Sequence, residues 1–169
     1  KDGNLNAAPF SFFNVVCSAP PMIMISTARS QGKRKDTSLN IEETGSFVVH
    51  ITDEMTVEQI NKTAAPIDRT LNELERTQLT CVKSEVVPVP GVEQAKIRME
   101  CKLNQIITLG DAQEGSDLII GEVVMYHIDE AVYFDDSKID AQALAPVARL
   151  AGNDYAALGQ SFTINRPTE

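Results

Sequence analysis

The sequence lacks several features that would assign it to a common protein class. No apolar run approaches the roughly 20 residues of a membrane-spanning helix, and no basic start followed by an apolar core marks a signal peptide. Basic residues are in the minority, with 15 Lys and Arg compared with 24 Asp and Glu and a net charge of −9. That sign disfavours binding to nucleic-acid phosphates. We therefore expect a cytoplasmic protein that binds neither a membrane nor a nucleic acid.

The chain is also poor in the motifs of metal and hydrolytic chemistry. Its three cysteines, Cys17, Cys81 and Cys101, lie far apart and include no C-x-x-C pair, so we expect reduced thiols and no metal site. The nine glycines never fall as G-x-G-x-x-G, and H-E-x-x-H and G-x-S-x-G are absent. An S-x-x-K match at 30–33 contains a glycine that disfavours the helix it needs. Nucleotide-loop folds, metalloenzymes and hydrolases are therefore disfavoured.

What the sequence does contain is a set of consecutive β signals in a chain of single-domain size. Apolar and polar residues alternate over 97–103 until the phase reverses at Gln105 and Ile106, as a β-bulge would produce. Residues 117–128 form a second long strand pattern with apolar side chains on both faces, so we expect a helix or a second subunit to cover the outer face. The small size of the protein favours a dimer. These patterns predict a mainly β fold, an antiparallel barrel with helical insertions.

The remaining predicted elements are shorter. They comprise strands over 5–13, 22–25, 47–51 and 79–83, a helix over 36–43, a helix from Thr56 with Gln59 as its capping partner, and helical turns at 71–74 and after Pro146. The Asp2-Gly3 pair is typical of a tight hairpin turn, which needs a strand before it. We therefore expect the single domain, 1–169, to lack its first strand.

Positive charge is concentrated in one segment. Between residues 29 and 35 lie four basic residues and no acid: Arg29, Lys33, Arg34 and Lys35. The segment leads into Asp36-Thr37-Ser38, which favour a helix N-terminus, where free N–H groups and the helix dipole attract anions. The pattern predicts a phosphate site, with a solvated, mobile loop as the alternative. The aromatic segment 11–14 suits either the ring system of a flavin or the protein core.

Several motifs together resemble the flavin reductase-like, FMN-binding split-barrel family. They are DGNLNAAPFSFFN at 2–14, PPM at 20–22, KDT at 35–37, NIE at 40–42, FVV at 47–49, IGEVV at 120–124 and RLAG at 149–152. The resemblance covers nearly the whole chain. It implies a six-stranded Greek-key barrel, a homodimer, and FMN held in a groove near the subunit interface.

The resemblance also implies site residues. Ser11, Phe12, Phe13 and Asn14 would line the isoalloxazine, Ser26, Thr27, Ala28 and Arg29 would approach the ribityl chain and phosphate, and Lys35, Asp36 and Thr37 would complete the phosphate clamp. His127 is similar to a histidine near the reductase site of some relatives and is the candidate catalytic residue, the alternative being a strand-end histidine bonded to backbone. Arg149 and Tyr155 are candidates for closing the groove.

The implied function is an FMN-dependent oxidoreductase that moves hydride from NADH or NADPH to flavin and passes electrons to free flavin, oxygen or a protein. One alternative is a flavoredoxin-type electron carrier, whose acidic surface would suit docking to a basic redox partner protein. Another is an FMN-binding protein without turnover. The three hypotheses differ in whether a nicotinamide reduces the bound flavin.

Overall fold

The computed structural model describes residues 5–68, 70–134 and 137–168, so the turn predicted at Asp2-Gly3 lies outside the described residues. The regular elements are β1 Phe13–Ser18, β2 Pro21–Ala28, α1 Asp36–Thr44, β3 Ser46–His50, α2 Val57–Lys62, β4 Cys81–Val82, β5 Gly91–Val92, β6 Ile97–Leu109, β7 Ser116–Ile128, β8 Tyr133–Phe134, β9 Lys138–Ile139, α3 Ala141–Leu144, β10 Val147–Arg149 and β11 Tyr155–Ala157. Short 3-10 turns cover Glu73–Arg76 and Glu130–Val132.

The centre of the fold is an antiparallel sheet of five strands in the order β1-β2-β7-β6-β3. Its two longest members, β6 and β7, have 13 residues each and form one hairpin. The described residues also form three two-stranded sheets, β4-β5, β8-β9 and β10-β11. The predicted mainly β, antiparallel fold is confirmed. In the described part of the chain, no helix is long and apolar enough to span a membrane.

The hydrophobic core lies on one face of this sheet. Its buried members are Ile23, Ile25, Ile41, Phe47, Met99, Cys101, Ile119 and Val123. Gly121 allows the close approach of the Phe47 ring, because a Cβ at position 121 would lie 2.5 Å from the ring Cζ. The predicted bulge is confirmed by a register shift between Leu103 and Gln105, and a second shift follows Glu100.

The predicted strand over 5–13 is wrong, because regular pairing begins only at Phe13. The Ala7 N–H donates to a side-chain oxygen of Glu73 at 3.2 Å, and Asn6 donates to the other oxygen at 2.8 Å. Pro9 has no N–H to offer a ladder. The beginning of this segment is therefore held by Glu73 in the turn Glu73–Arg76. Bonding to β2 starts only near its end, where the Ser26 N–H donates to the Phe12 carbonyl at 2.9 Å. Among the described residues the main sheet has five strands.

Two further boundaries differ from the prediction. The helical turn expected after Pro146 is strand β10, since the Val147 N–H donates to the Thr52 carbonyl at 3.1 Å and β10 pairs with β11. Helix α2 does begin next to Thr56, but Gln59 is not its capping partner. Asp53 accepts the Thr56 N–H at 2.9 Å instead, while Gln59 accepts from the Gln78 N–H at 3.1 Å.

Replacing Cys101 by serine tests the interior assignment of this thiol. Cys101 is fully buried on β6, and burial raises its pKa to about 12. A serine hydroxyl there would lose its hydration in an apolar core, so we expect the variant to lose about 1–3 kcal/mol of unfolding free energy. Urea denaturation measures this loss. A serine variant as stable as the wild type would contradict the interior assignment.

Candidate functional site: a groove at the start of helix α1

Helix α1 begins directly after the basic segment. Lys35 occupies the N-cap position in extended conformation and makes no side-chain cap bond. A lysine has no acceptor atom with which to cap a helix. The first-turn N–H groups of a helix have no intrahelical partners and carry the positive end of its dipole. At its other end the helix stops at Gly45, whose φ of 67° is left-handed, as the sequence predicts.

A groove of about 380 Å³ opens beside this helix start. Among the predicted site residues, those that line it are Ser11, Phe12, Ser26, Ala28, Lys35, Asp36 and Thr37. They come from three segments that are well separated along the chain. Sequence reasoning missed another wall, the segment 63–67 after helix α2, which carries no site motif. Arg149, a candidate for closing the groove, also lines it.

Four of the predicted cofactor-binding residues do not line this groove, and strand alternation accounts for one of them. Because successive residues of a strand face opposite sides, Thr27 points away from Ser26 and Ala28. It is 1% exposed and shares a hydrogen bond of 2.6 Å with the Ser38 hydroxyl. Phe13 packs against the hydrophobic core, and Asn14 is exposed on β1, where its side chain accepts the Val15 N–H.

The fourth residue outside the groove, Arg29, belongs to an ion cluster beneath the basic segment. Its Nε lies 3.1 Å from an Asp117 carboxylate oxygen, and the Arg34 Nε lies 2.7 Å from the other. Burial alone would raise the pKa of Asp117, but hydrogen bonds from Arg34 and Arg29 lower it below its usual value. Arg29 and Arg34 thus anchor the basic segment to Asp117. Lys35 is the basic residue of this segment that lines the groove.

His127 lies on β7 and lines neither this groove nor the larger cavity described below. Its Nε2 is 2.6 Å from the Glu100 Oε1. The same carboxylate accepts backbone N–H groups from the loop 85–87, at 2.7, 2.7 and 2.9 Å. His127 is therefore bonded to a buried carboxylate rather than to backbone, and the structure does not bring this candidate catalytic residue to the predicted cofactor site.

The Glu100 cluster predicts a specific acid sensitivity. Burial alone would raise the pKa of Glu100, but hydrogen bonds from the Glu85 N–H, His127 and the next two N–H groups lower it from 4.5 to about 2. The unfolded chain therefore binds this proton more readily than the folded chain does. The stabilisation is complete above about pH 4.5 and is lost as the pH falls towards 2. The unfolding free energy should fall as the pH is lowered through this range. An unfolding free energy that does not change with pH would contradict the hydrogen bonding assigned to Glu100.

A larger cavity, of about 690 Å³, adjoins the groove and shares several wall residues with it. It runs between the segment 5–11 and the edge strand β3. His50 lines it and accepts the Val92 N–H at 2.9 Å, and burial together with the nearby Arg98 charge lowers its pKa to about 4. This histidine is therefore neutral at pH 7. Tyr155 lines the same cavity, and its hydroxyl donates to the Asn61 side chain at 3.1 Å.

Comparisons with known proteins agree with this fold. Residues 1–141 match the family described as Flavin reductase like domain. An uncharacterised protein of Bacillus subtilis, YwrF, is 49% identical over 98% of this chain and 82% of its own length. Nitrilotriacetate monooxygenase component B from Bacillus cereus superimposes with a TM-score of 0.94 and 48% identity, over 97% of this chain and 82% of that one.

A protein with a split barrel domain from Shewanella frigidimarina superimposes with a TM-score of 0.86 and 25% identity, over 99% of this chain and 81% of that one. The sequence resemblance and the superpositions thus agree along nearly the whole chain. This chain belongs to the flavin reductase-like domain family, and its fold is the split barrel of that family.

Proposed function

We propose that this protein binds FMN in the groove at the start of α1 and that it transfers hydride from NADH or NADPH to that flavin. The observation that carries the proposal is the groove itself. It joins a lysine and a helix N-terminus, at Lys35 and Asp36, to an aromatic side chain, Phe12, that is 67% exposed. Family membership and the similarity to a monooxygenase component support an oxidoreductase role.

The groove residues fit the chemistry of FMN. A phosphate monoester is favoured by the Lys35 ammonium and by the positive end of α1. Flat apolar surface for the ring system is available at Pro9 and Phe12, and Ser11 and Ser26 supply hydroxyl groups in the same groove. A groove of about 380 Å³ lies within the usual range of about 300–1,000 Å³ for ligand pockets.

When bound, FMN would supply the hydride-accepting centre, and the protein would supply binding, orientation and charge neutralisation. Lys35, which lines the groove, would neutralise part of the phosphate charge. The segment 63–67 would form a further wall of the groove and limit the access of water to it. None of these roles requires a proton to be moved by His127, which is held by Glu100.

We further propose that the working unit is a homodimer. Leu118 and Ile120 remain only partly buried on the outer face of β7, and Val15 and Val16 on the edge strand β1 are 64% and 49% exposed. Apolar side chains on an open strand edge favour association with another chain. Sedimentation at several concentrations tests this, with a monomer at all of them as the contradicting result.

Anaerobic mixing tests the reductase function. Protein loaded with FMN is mixed with NADH or NADPH while the visible flavin absorbance is followed. Bleaching at an enzymatic rate, well above that of free FMN with the same nicotinamide, is the expected result. FMN binding without bleaching by either nicotinamide would instead favour an electron carrier or a binding protein. The net charge of −9 would suit a carrier that docks to a basic redox partner.

A further inference from the structure

We propose that Asp117 is a positioning residue for the phosphate-binding segment, because its buried carboxylate holds both ends of residues 29–34 and thereby sets Lys35 and the start of α1 against the groove. The inference rests on the proposed FMN function. Asp117 lies on β7 and does not line the groove, so it would act through the two arginines rather than by contact with the cofactor.

The first support is the geometry of the ion cluster. Asp117 is fully buried, and its two oxygens receive different arginines. Arg29 donates to Oδ1 through both Nε and Nη2, and the Arg34 Nε donates to Oδ2 at 2.7 Å. A buried carboxylate is tolerated only when paired and hydrogen-bonded. The pairing therefore fixes the carboxylate and both arginines in one arrangement.

The second support is the way in which the backbone of the segment is attached. The Arg29 N–H donates to the Gly115 carbonyl at 2.8 Å, and the Gly32 N–H donates to the Gln113 carbonyl at 2.9 Å. The Gln31 N–H donates to the Glu114 side chain at 3.2 Å. The segment is thus bound to the β6–β7 turn at its centre and to Asp117 through the arginines near its ends. Lys35 follows immediately after this anchored stretch.

The third support is the distribution of charge. The positive charge of Arg29 is offset by Asp117, and that of Arg34 is shared between Asp117 and Glu42, whose carboxylate is 2.6 Å from Arg34 Nη1. Among the described residues, neither Lys33 nor Lys35 forms an ion pair. The two arginines therefore hold the segment in position, and the charge of Lys35 is left to bind the anion in the groove.

Substitution of Asp117 by asparagine separates positioning from simple charge attraction. Asp117→Asn removes one negative charge from beneath the segment, so attraction alone predicts tighter binding of an anion. Loss of position predicts weaker binding. We expect the FMN Kd to rise about tenfold or more, the scale of a lost charged hydrogen bond, while the riboflavin Kd changes less than about twofold. Riboflavin lacks the phosphate, so a lost phosphate site weakens only the binding of FMN. A general loss of stability would weaken the binding of both ligands alike.

Glu42→Gln is the matched control, because it removes an exposed carboxylate from the same Arg34 without releasing the segment from Asp117. Its FMN affinity should match the wild type. If Asp117→Asn fails to fold, Arg34→Lys keeps the charge but loses the bridge between two carboxylates, and it should weaken FMN without affecting riboflavin. Unchanged or tighter FMN binding in the folded variant overturns the positioning role alone. Wild-type protein that binds FMN no better than riboflavin overturns the phosphate site and the inference together.

Discussion

Lys35→Ala is expected to weaken FMN binding by about 1.5–3 kcal/mol, roughly ten- to a hundredfold in Kd. Lys35 is the basic residue of the cluster that lines the groove, and it stands at the N-cap of α1. The substitution removes a charge-assisted contact to the phosphate but leaves the helix start intact. Quenching of flavin fluorescence during titration measures the change, and riboflavin provides a ligand whose affinity should not move.

The matched control is Lys33→Ala. Lys33 lies two residues earlier in the same segment, is also exposed and does not line the groove. Lys33→Ala removes the same charge as Lys35→Ala. If the lysines act only by long-range attraction, the two variants should therefore lose FMN affinity to a similar degree. A specific phosphate contact predicts a large effect at Lys35 and a small one at Lys33. Equal effects, or an unchanged Kd for Lys35→Ala, would remove Lys35 from the proposed site.

Glu100→Gln should lower the unfolding free energy by about 3 kcal/mol or more, because one buried carboxylate accepts four hydrogen bonds. An amide has only one acceptor oxygen and places an N–H group against donors. The loop 85–87 and His127 would therefore lose partners at the same time. Thermal and urea denaturation of the variant measure the loss.

Glu54→Gln is the control for Glu100→Gln, since it makes the same chemical change at an exposed position. Its stability should stay close to that of the wild type. The acid sensitivity of the wild type between pH 4.5 and 2 should also be smaller in Glu100→Gln, because the group that takes up the proton is gone. A Glu100→Gln variant as stable as the control would mean that the carboxylate is not needed by the loop.

Local signals in the sequence were sufficient for several elements. Helix α1 follows from the residues at its start and from Gly45 at its end, where the left-handed backbone favours glycine. The bulge in β6 follows from the phase reversal at Gln105. The anion site was predicted because Lys35 is adjacent to the helix start along the chain. In each case the determining contacts lie within a few residues.

Contacts between distant residues could not be predicted in this way. The basic segment reads as one cluster of cations, but Arg29 and Arg34 are bound to Asp117, more than 80 residues further along the chain. His127 is bound to Glu100 on the neighbouring strand, and the sequence contains no local sign of that pairing. The orientation of Thr27 was available from strand alternation, because Ser26 and Ala28 flank it on β2.

A crystal structure of the protein grown with FMN tests the central proposal most directly. We predict the phosphate within hydrogen-bond distance of the Lys35 ammonium and the first-turn N–H groups of α1, with the flavin ring beside Phe12. Flavin bound elsewhere on the chain, or a groove left without flavin at concentrations well above the measured Kd, would contradict it.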